Sequence, residues 1–149
     1  MTSTELALNT ALKYVKRFEG LKLKPYLDPV GIQTIGYGIT DKEVLKKYKN
    51  GMDEKTAHYL LLKELKTFAT QVDDLVKVKL NANQKAALYS FVYNVGIGNF
   101  KKSTMLKLIN ENKLEQAATQ FDRWTYASGK QLNGLINRRK TERELFELA

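Results

Sequence analysis

Two carboxylates and a hydroxyl carry the chemistry this sequence offers. Glu19 lies nine positions before Asp28, and Thr34 follows six positions after that. Carboxyl groups facing each other across a gap, with a hydroxyl able to hold a water, are what glycosidic bond hydrolysis requires. One carboxyl protonates the leaving oxygen while the other directs water or attacks. Taken singly, neither carboxylate is informative: a Glu before a C-capping Gly is ordinarily solvated, and Asp-Pro-x-Gly is ordinarily just a turn. Thr34 alone is a strand residue. The combination carries the inference.

The elements around these residues are legible. Thr2 and Glu5 fit the T-x-x-E capping box, Leu8, Leu12, Val15 and Phe18 recur at helical spacing, and Gly20 supplies a left-handed stop, so a first helix ends at Glu19. A carboxylate in the last turn of a helix faces the negative end of its dipole, a cost of roughly 0.3–1 kcal/mol. Partial burial beside Phe18 and Leu21 disfavours the charge again. Both effects favour the protonated carboxyl that a general acid needs, while Asp28 on an open polar turn is expected to stay ionised. Between Leu21 and Gly38, Pro25, Pro29 and three glycines forbid a helix. Asp28-Pro29-Val30-Gly31 fits a type I turn, and Leu23 to Leu27 and Ile32 to Tyr37 are rich in β-formers. A hairpin results that turns Asp28 and Thr34 towards each other, with Glu19 opposite.

The rest reads as helices. Thr40-Asp41-Lys42-Glu43 is a second capping-box pattern, opening a short basic helix that stops near Asn50-Gly51. Asp53 caps a long helix through Ala57, Leu60, Leu61, Leu65, Phe68 and Val72. A very apolar helix follows Asn81 or Asn83 and ends at Gly96; others start at Ser103, run from Lys113 to Trp124, and close the chain from Asn137 to Leu148. The expected architecture is α+β in one domain, 1–149. A small β-hairpin lobe, about 18–60, is joined by the long helix to a larger helical lobe of 80–149 together with helix 2–18.

Composition narrows the function classes. The chain has no cysteine and one histidine, His58, which removes disulfide scaffolds, thiol nucleophiles, cysteine zinc sites and any Ser/His triad that does not use His58. His58, at helical spacing beside Leu61 and Leu62, reads as a helix-surface or hinge residue rather than a ligand. No metal-ligand spacing, P-loop, Rossmann motif or EF-hand is present, so no metal and no cofactor are expected. Twenty-five basic residues against 16 acidic ones give +9, a field that favours polyanions: nucleic acid, anionic lipid or an acidic wall polymer. No apolar run approaches the roughly 20 residues needed to span a bilayer. The first residues also lack a basic segment followed by an apolar one, so no signal peptide is expected.

Four motifs together resemble the phage-type lysozymes, the endolysins of glycoside hydrolase family 24, over nearly the whole chain. The most specific is Glu19-Gly20, Tyr26-x-Asp28, Gly31-x-x-Thr34-x-Gly36-Tyr37-Gly38. Phe91-x-x-Asn94-x-Gly96-x-Gly98-x-Phe100 with Ser103-Thr104, then Trp124, then Gly134-Leu135-x-Asn137-Arg138-Arg139-x-x-Glu142, follow in order. The resemblance implies a muramidase that hydrolyses the β-1,4 bond between N-acetylmuramic acid and N-acetylglucosamine in peptidoglycan. It assigns Glu19 as general acid, Asp28 as second carboxylate and Thr34 as the hydroxyl that positions water. It places Tyr93, Asn94, Ser103 and Arg138 as glycan-binding residues, with Arg138 near Glu19, where pairing would oppose the dipole and burial effects. Some members carry Cys at the second carboxylate or begin with a membrane-anchoring segment. Asp28, and an N-terminus without such a segment, resemble the plain cytoplasmic type, a monomer that reaches the wall only when a holin opens the membrane.

Three readings compete with this one. A lytic transglycosylase needs one catalytic Glu and leaves a 1,6-anhydro end; the Asp28/Thr34 pair argues against it. A non-catalytic wall-binding module would lose nothing on Glu19→Gln. A nucleic-acid binder would exploit the +9 balance, but the basic residues are spread over every helix without a helix-turn-helix or RNP-like signature. An anionic cell envelope accounts for the charge, and no nucleic-acid partner is expected. A small Thr beside Asp28 leaves room for a water, which makes inversion the expected stereochemical outcome.

Overall fold

Helix α1, Ser3–Glu19, starts where the Thr2 hydroxyl accepts from the Glu5 amide and stops at Gly20, whose φ of +69° takes the chain out of the helix. In the computed structural model, which describes residues 1–148, β1 (Lys22–Leu27) and β2 (Gln33–Gly36) follow. Then come α2 (Lys42–Lys47), α3 (Glu54–Leu75), α4 (Ala82–Val95), α5 (Ile97–Lys101), α6 (Thr104–Asn110) and α7 (Leu114–Thr119). A 3₁₀ turn (Gln120–Arg123), β3 (Tyr126–Ala127), β4 (Lys130–Gln131) and α8 (Asn133–Glu147) complete the order. The arrangement is α+β, as the patterning predicts: a small hairpin near the N-terminus and a helical remainder.

The β1–β2 hairpin is antiparallel, with Tyr26 opposite Thr34 and Leu27 opposite Gln33; its register shifts between Lys22 and Tyr26, around Pro25, which has no amide to give the ladder. Its turn is held by the Gly31 amide on the Asp28 carbonyl at 2.9 Å, the closing bond of the expected turn, and Gly31 has a φ of +85° that its lack of a side chain permits.

Helix α4 is apolar on all sides because it is surrounded. Seven consecutive residues, Ala86 to Val92, are buried, and α1, α3 and α8 pack around it. Phe91 meets Phe121 and Trp124 edge-on with ring centroids 5.3 and 5.7 Å apart. A second, smaller cluster forms where Ile35, Ile39 and Leu45 pack with Val44, Tyr48, Met52 and Leu60. The 22 residues of α3, about 33 Å at 1.5 Å per residue, reach both: Leu60 faces the small cluster, while Ala57, Leu61, Leu65, Ala69 and Val72 belong to the large one.

Several boundaries differ from the sequence reading. Helix α2 is capped by Asp41, not Thr40: the Asp41 carboxylate accepts from the Glu43 and Val44 amides, and a carboxylate one residue closer outcompetes the hydroxyl. The helix ends at Lys47, ahead of Asn50. The stretch from Lys113 to Trp124 breaks into α7 and the 3₁₀ turn, and α8 begins at Asn133 rather than Asn137. The β3–β4 hairpin was not anticipated; it turns at Ser128-Gly129, both at positive φ, in a segment with little alternation to announce strands.

Candidate active site

Glu19 ends α1 with its carboxylate directed at α8. Arg138 donates from Nη1 to Glu19 Oε2 at 2.6 Å, and the two side chains are 5% and 19% exposed, so the pair is largely removed from water. The sequence left open whether this pair forms; it does. The guanidinium places a positive charge against the negative end of the α1 dipole. Phe18 contributes in another way: its ring lies 4.9 Å from the Arg138 guanidinium carbon, stacking the cation while its neighbour Glu19 neutralises it.

Arg138 is held from all sides. Its Nε donates to Glu142 Oε2 at 3.1 Å and its Nη2 to the Ser90 carbonyl at 3.1 Å. The resemblance named it as a glycan-binding residue near Glu19; in the structure these donors are turned into the protein. Glu142 is fully buried; its Oε2 also accepts from the Ser90 hydroxyl at 2.6 Å, and its Oε1 lies 2.8 Å from Arg139 Nε. That last contact is close in charge but poorly aligned, leaving Arg139 Nε and Nη2 and Glu142 Oε1 without a hydrogen-bond partner among the described residues. Burial pushes the Arg139 guanidinium down from its ordinary value, and Glu142 pulls it back.

Gly38 presses on Glu19 from the hairpin side. A β-carbon there would overlap Glu19 Oε1 and lie 2.7 Å from its carboxyl carbon, and the φ of +76° disfavours a side chain as well. Because the clashing atoms end a flexible side chain, Gly38→Ala should fold and instead push the carboxyl off Arg138. A displacement of about 1 Å at a reacting group can cost about 10²-fold, so lysis by Gly38→Ala is expected to fall by roughly that factor. Gly36→Ala is the control. It carries the same left-handed strain, about 1–2 kcal/mol, at a φ of +67°, but its nearest contact is Met52 Sδ at 3.6 Å. Equal turbidity clearing by the two variants would remove Gly38 from the site.

Asp28 Oδ1 accepts from the Val30 amide at 2.9 Å and the Ile32 amide at 2.8 Å, which fixes the carboxylate within its own turn. Thr34, 3% exposed, donates its hydroxyl to the Ile32 carbonyl at 2.9 Å. With its proton so used, the Thr34 oxygen is left to accept, as it must if it is to hold a water. Tyr26 faces the same side of the ribbon as Thr34, across the pair. Burial raises the Tyr26 phenol, and Glu19 and Asp28 raise it further, so one phenol lies within electrostatic reach of both carboxylates. The sequence reading used Tyr26 only as a motif letter.

The remaining expected residues scatter. Tyr93 donates its hydroxyl to the Tyr37 carbonyl, fastening α4 to the hairpin, and meets Phe68 edge-on at 6.1 Å; burial, Glu64 and Glu19 raise its phenol. Asn94, next to it, is exposed. Ser103 caps α6, accepting from the Leu106 amide at 3.0 Å and donating to the Phe100 carbonyl at 2.7 Å, and among the described residues no hydrogen bond ties it to the Glu19 cluster. Glu64, missed in the sequence, is a half-buried carboxylate on α3 whose affinity for its proton is raised by burial, then by Asp41 and Glu19. His58 Nδ1 lies 2.8 Å from Lys16 Nζ, linking α3 to α1. Among the described residues no group of His, Asp and Glu is arranged to hold a metal ion.

A helical body, a hairpin bearing Asp28 and Thr34, and a half-buried Glu at the end of the first helix define a lysozyme-like protein. The phage lysozyme profile matches residues 16–142. The chain is 46% identical to a SAR-endolysin of Bacteriophage PS119 over 129 residues, 85% of this chain and 75% of that one. Among solved structures, the muramidase domain of SpmX from Asticaccaulis excentricus superposes with a TM-score of 0.81 at 34% identity, covering 93% of this chain and 95% of that one. The endolysin of Escherichia coli O157:H7 phage FAHEc1 gives 0.78 at 31% identity, with 93% and 90% covered. The chain belongs to the phage lysozyme family, and is with it a glycosidase and a bacteriolytic endolysin.

Proposed function

We propose that the protein hydrolyses the β-1,4 bond between N-acetylmuramic acid and N-acetylglucosamine of peptidoglycan, with Glu19 as general acid and Asp28 and Thr34 directing the water. The carrying observation is the setting of Glu19, still 19% exposed to incoming glycan and fixed by one aligned bond to a buried guanidinium. As oxocarbenium character develops at the anomeric carbon, Glu19 gives its proton to the bridging oxygen. Asp28, oriented by two amides of its own turn, faces the opposite side of the ring and takes the proton that the water loses as it attacks, while the Thr34 oxygen accepts a hydrogen bond from that water. Arg138 then stabilises the carboxylate left behind. Tyr93 and Ser103 line the cleft by shaping it rather than through their hydroxyls, and Asn94 offers an exposed amide.

Water as the direct nucleophile requires inversion, because the carboxylates must stand far enough apart to admit it, roughly 6.5–9.5 Å rather than the 5–5.5 Å of a covalent mechanism. NMR of the anomeric protons during the first minutes of digestion is therefore expected to show the α-anomer first. An initial β-anomer would overturn the roles given to Asp28 and Thr34. Mass spectrometry of digested sacculi should show fragments carrying one added water, and 1,6-anhydro ends would establish a transglycosylase instead.

The proposal includes a catalytic monomer that needs no cofactor and meets its substrate only through a holin. Among the described residues no helix is long and apolar enough to cross a membrane. Expressed alone in a bacterial host, the protein is expected to accumulate without lysis, and co-expression of a holin to bring prompt lysis. Lysis at the same time in both cultures would remove the holin from the scheme.

A further inference from the structure

The Arg138–Arg139–Glu142 cluster is larger than the single ion pair the mechanism uses. Two guanidiniums, 5% and 1% exposed, share one fully buried carboxylate, and among the described residues the only other carboxylate bonded to either is Glu19. With Glu19 ionised the four side chains are neutral; with Glu19 protonated they carry one net positive charge in a place poor in water. Glu142 Oε2 takes both Arg138 Nε and the Ser90 hydroxyl, so Glu142 also fixes the direction in which Arg138 presents Nη1.

We propose that Glu142 is a positioning residue for the reaction: through Arg138 it sets how tightly Glu19 holds the proton it must donate, with Arg139 as the opposing weight. The inference rests on Glu19 being the general acid. Its logic is electrostatic. Without the Glu142 charge, two buried cations face Glu19 alone, and protonating Glu19 then leaves two uncompensated charges instead of one. Glu19 gives up its proton at lower pH. Without the Arg139 charge, Glu142 is free to neutralise Arg138, and Glu19 keeps its proton to higher pH. Arg139 Nε and Nη2 and Glu142 Oε1 all lack an aligned hydrogen-bond partner among the described residues, so the two meet through charge at 2.8 Å rather than through a well-formed bond, and the cluster has no spare carboxylate to absorb the loss. The other titratable groups that act on Glu19's surroundings are Tyr93 on α4, Glu64 on α3, and Tyr26 and Asp28 on the hairpin; all remain in place in the variants below.

The test is the pH dependence of kcat/KM on soluble peptidoglycan fragments, using the full chain with a thermal melt of each variant. Glu142→Gln, which keeps an acceptor for Arg138 and Ser90, should move the basic limb about one pH unit towards acid, the ordinary effect of an unbalanced cation at contact range. Arg139→Gln should move it towards alkali. Glu142→Asp, which restores the charge, should bring the limb back towards the wild-type position, and KM should change little in all three. A packing role alone would lower kcat and Tm while leaving the limbs still. Stationary limbs, or limbs moving the same way in Glu142→Gln and Arg139→Gln, overturn the proposal. Should Glu142→Gln melt below the assay temperature, Arg139→Gln gives the sign by itself, and the charge-balanced double variant should return the limb to its wild-type place. Glu19→Gln separates the two layers. If it retains activity, the catalytic assignment fails; if it is inactive while the limbs stay still, only the role of Glu142 fails.

Discussion

Glu19→Gln is expected to abolish clearing of outer-membrane-permeabilised cells while the protein remains folded and still binds sacculi. Glutamine has the size and shape of the carboxyl and can still accept from Arg138, so the packing at the end of α1 and against Gly38 is retained. What it lacks is a transferable proton. General acid catalysis contributes about 10²–10⁴-fold, and the neighbouring carboxylates are otherwise engaged: Asp28 is bound into its turn, and Glu142 is buried behind Arg138. Arg138, deprived of one anion, keeps Glu142 and the Ser90 carbonyl, so the melt should stay cooperative. Clearing at the wild-type rate would sink the catalytic assignment and revive the wall-binding module.

The parts of this site that lie close in sequence were legible in it. Glu19, Gly20, Asp28 and Gly31 announce a helix end and a turn by local rules, and local rules are where sequence is strongest: caps, left-handed glycines and Asp-Pro-x-Gly each answer to their own few residues. The same reason explains the errors. Asp41 won the α2 cap over Thr40 in a contest between two acceptable caps, decided by fractions of a kcal/mol. Gly134 in the first turn of α8 masked a helix start that tertiary packing supports, and the short β3–β4 ribbon has no hydrophobic alternation because most of it faces water.

The longer-range parts are not recorded by anything local, and only the family resemblance brought Arg138 near Glu19 without deciding whether they pair. Arg138 meets Glu19 across 119 positions of sequence, and Glu142 is joined to Ser90 across 52. A lone sequence shows Arg138, Arg139 and Glu142 as the charged face of a helix, where three such residues are ordinarily solvated. That they are buried follows only once α8 is laid against α4. Likewise the resemblance assigned Ser103 and Tyr93 to a glycan, whereas their hydroxyls are committed to a helix cap and to the Tyr37 carbonyl. Which partner each hydroxyl takes is a property of the assembled fold.

Arg138→Met should produce the largest loss of stability of any single change at the site. It keeps an apolar side chain of similar length over Phe18 but removes every bond the guanidinium makes: to Glu19, to Glu142 and to the Ser90 carbonyl. Glu142, fully buried, is left with the misaligned Arg139 contact and the Ser90 hydroxyl. Removing one partner of a buried pair costs about 3–5 kcal/mol, which for a domain of this size lowers Tm by roughly 6–20 °C. The pH dependence distinguishes this from a packing defect. In the variant both carboxylates bind protons more readily in the folded than in the unfolded chain, so the folded state takes up protons and stability falls as pH rises. The gap from wild type should therefore be widest at neutral pH and should narrow as pH drops towards the ordinary carboxylate value near about 4.3, with no further change below it. Activity measured well below the variant's melting point should show the basic limb displaced towards alkali, since Glu19 no longer faces a cation. A destabilisation of the same size at every pH would mean that Arg138 acts by filling space. No loss at all would mean that its attraction to two carboxylates only offsets the cost of burying it.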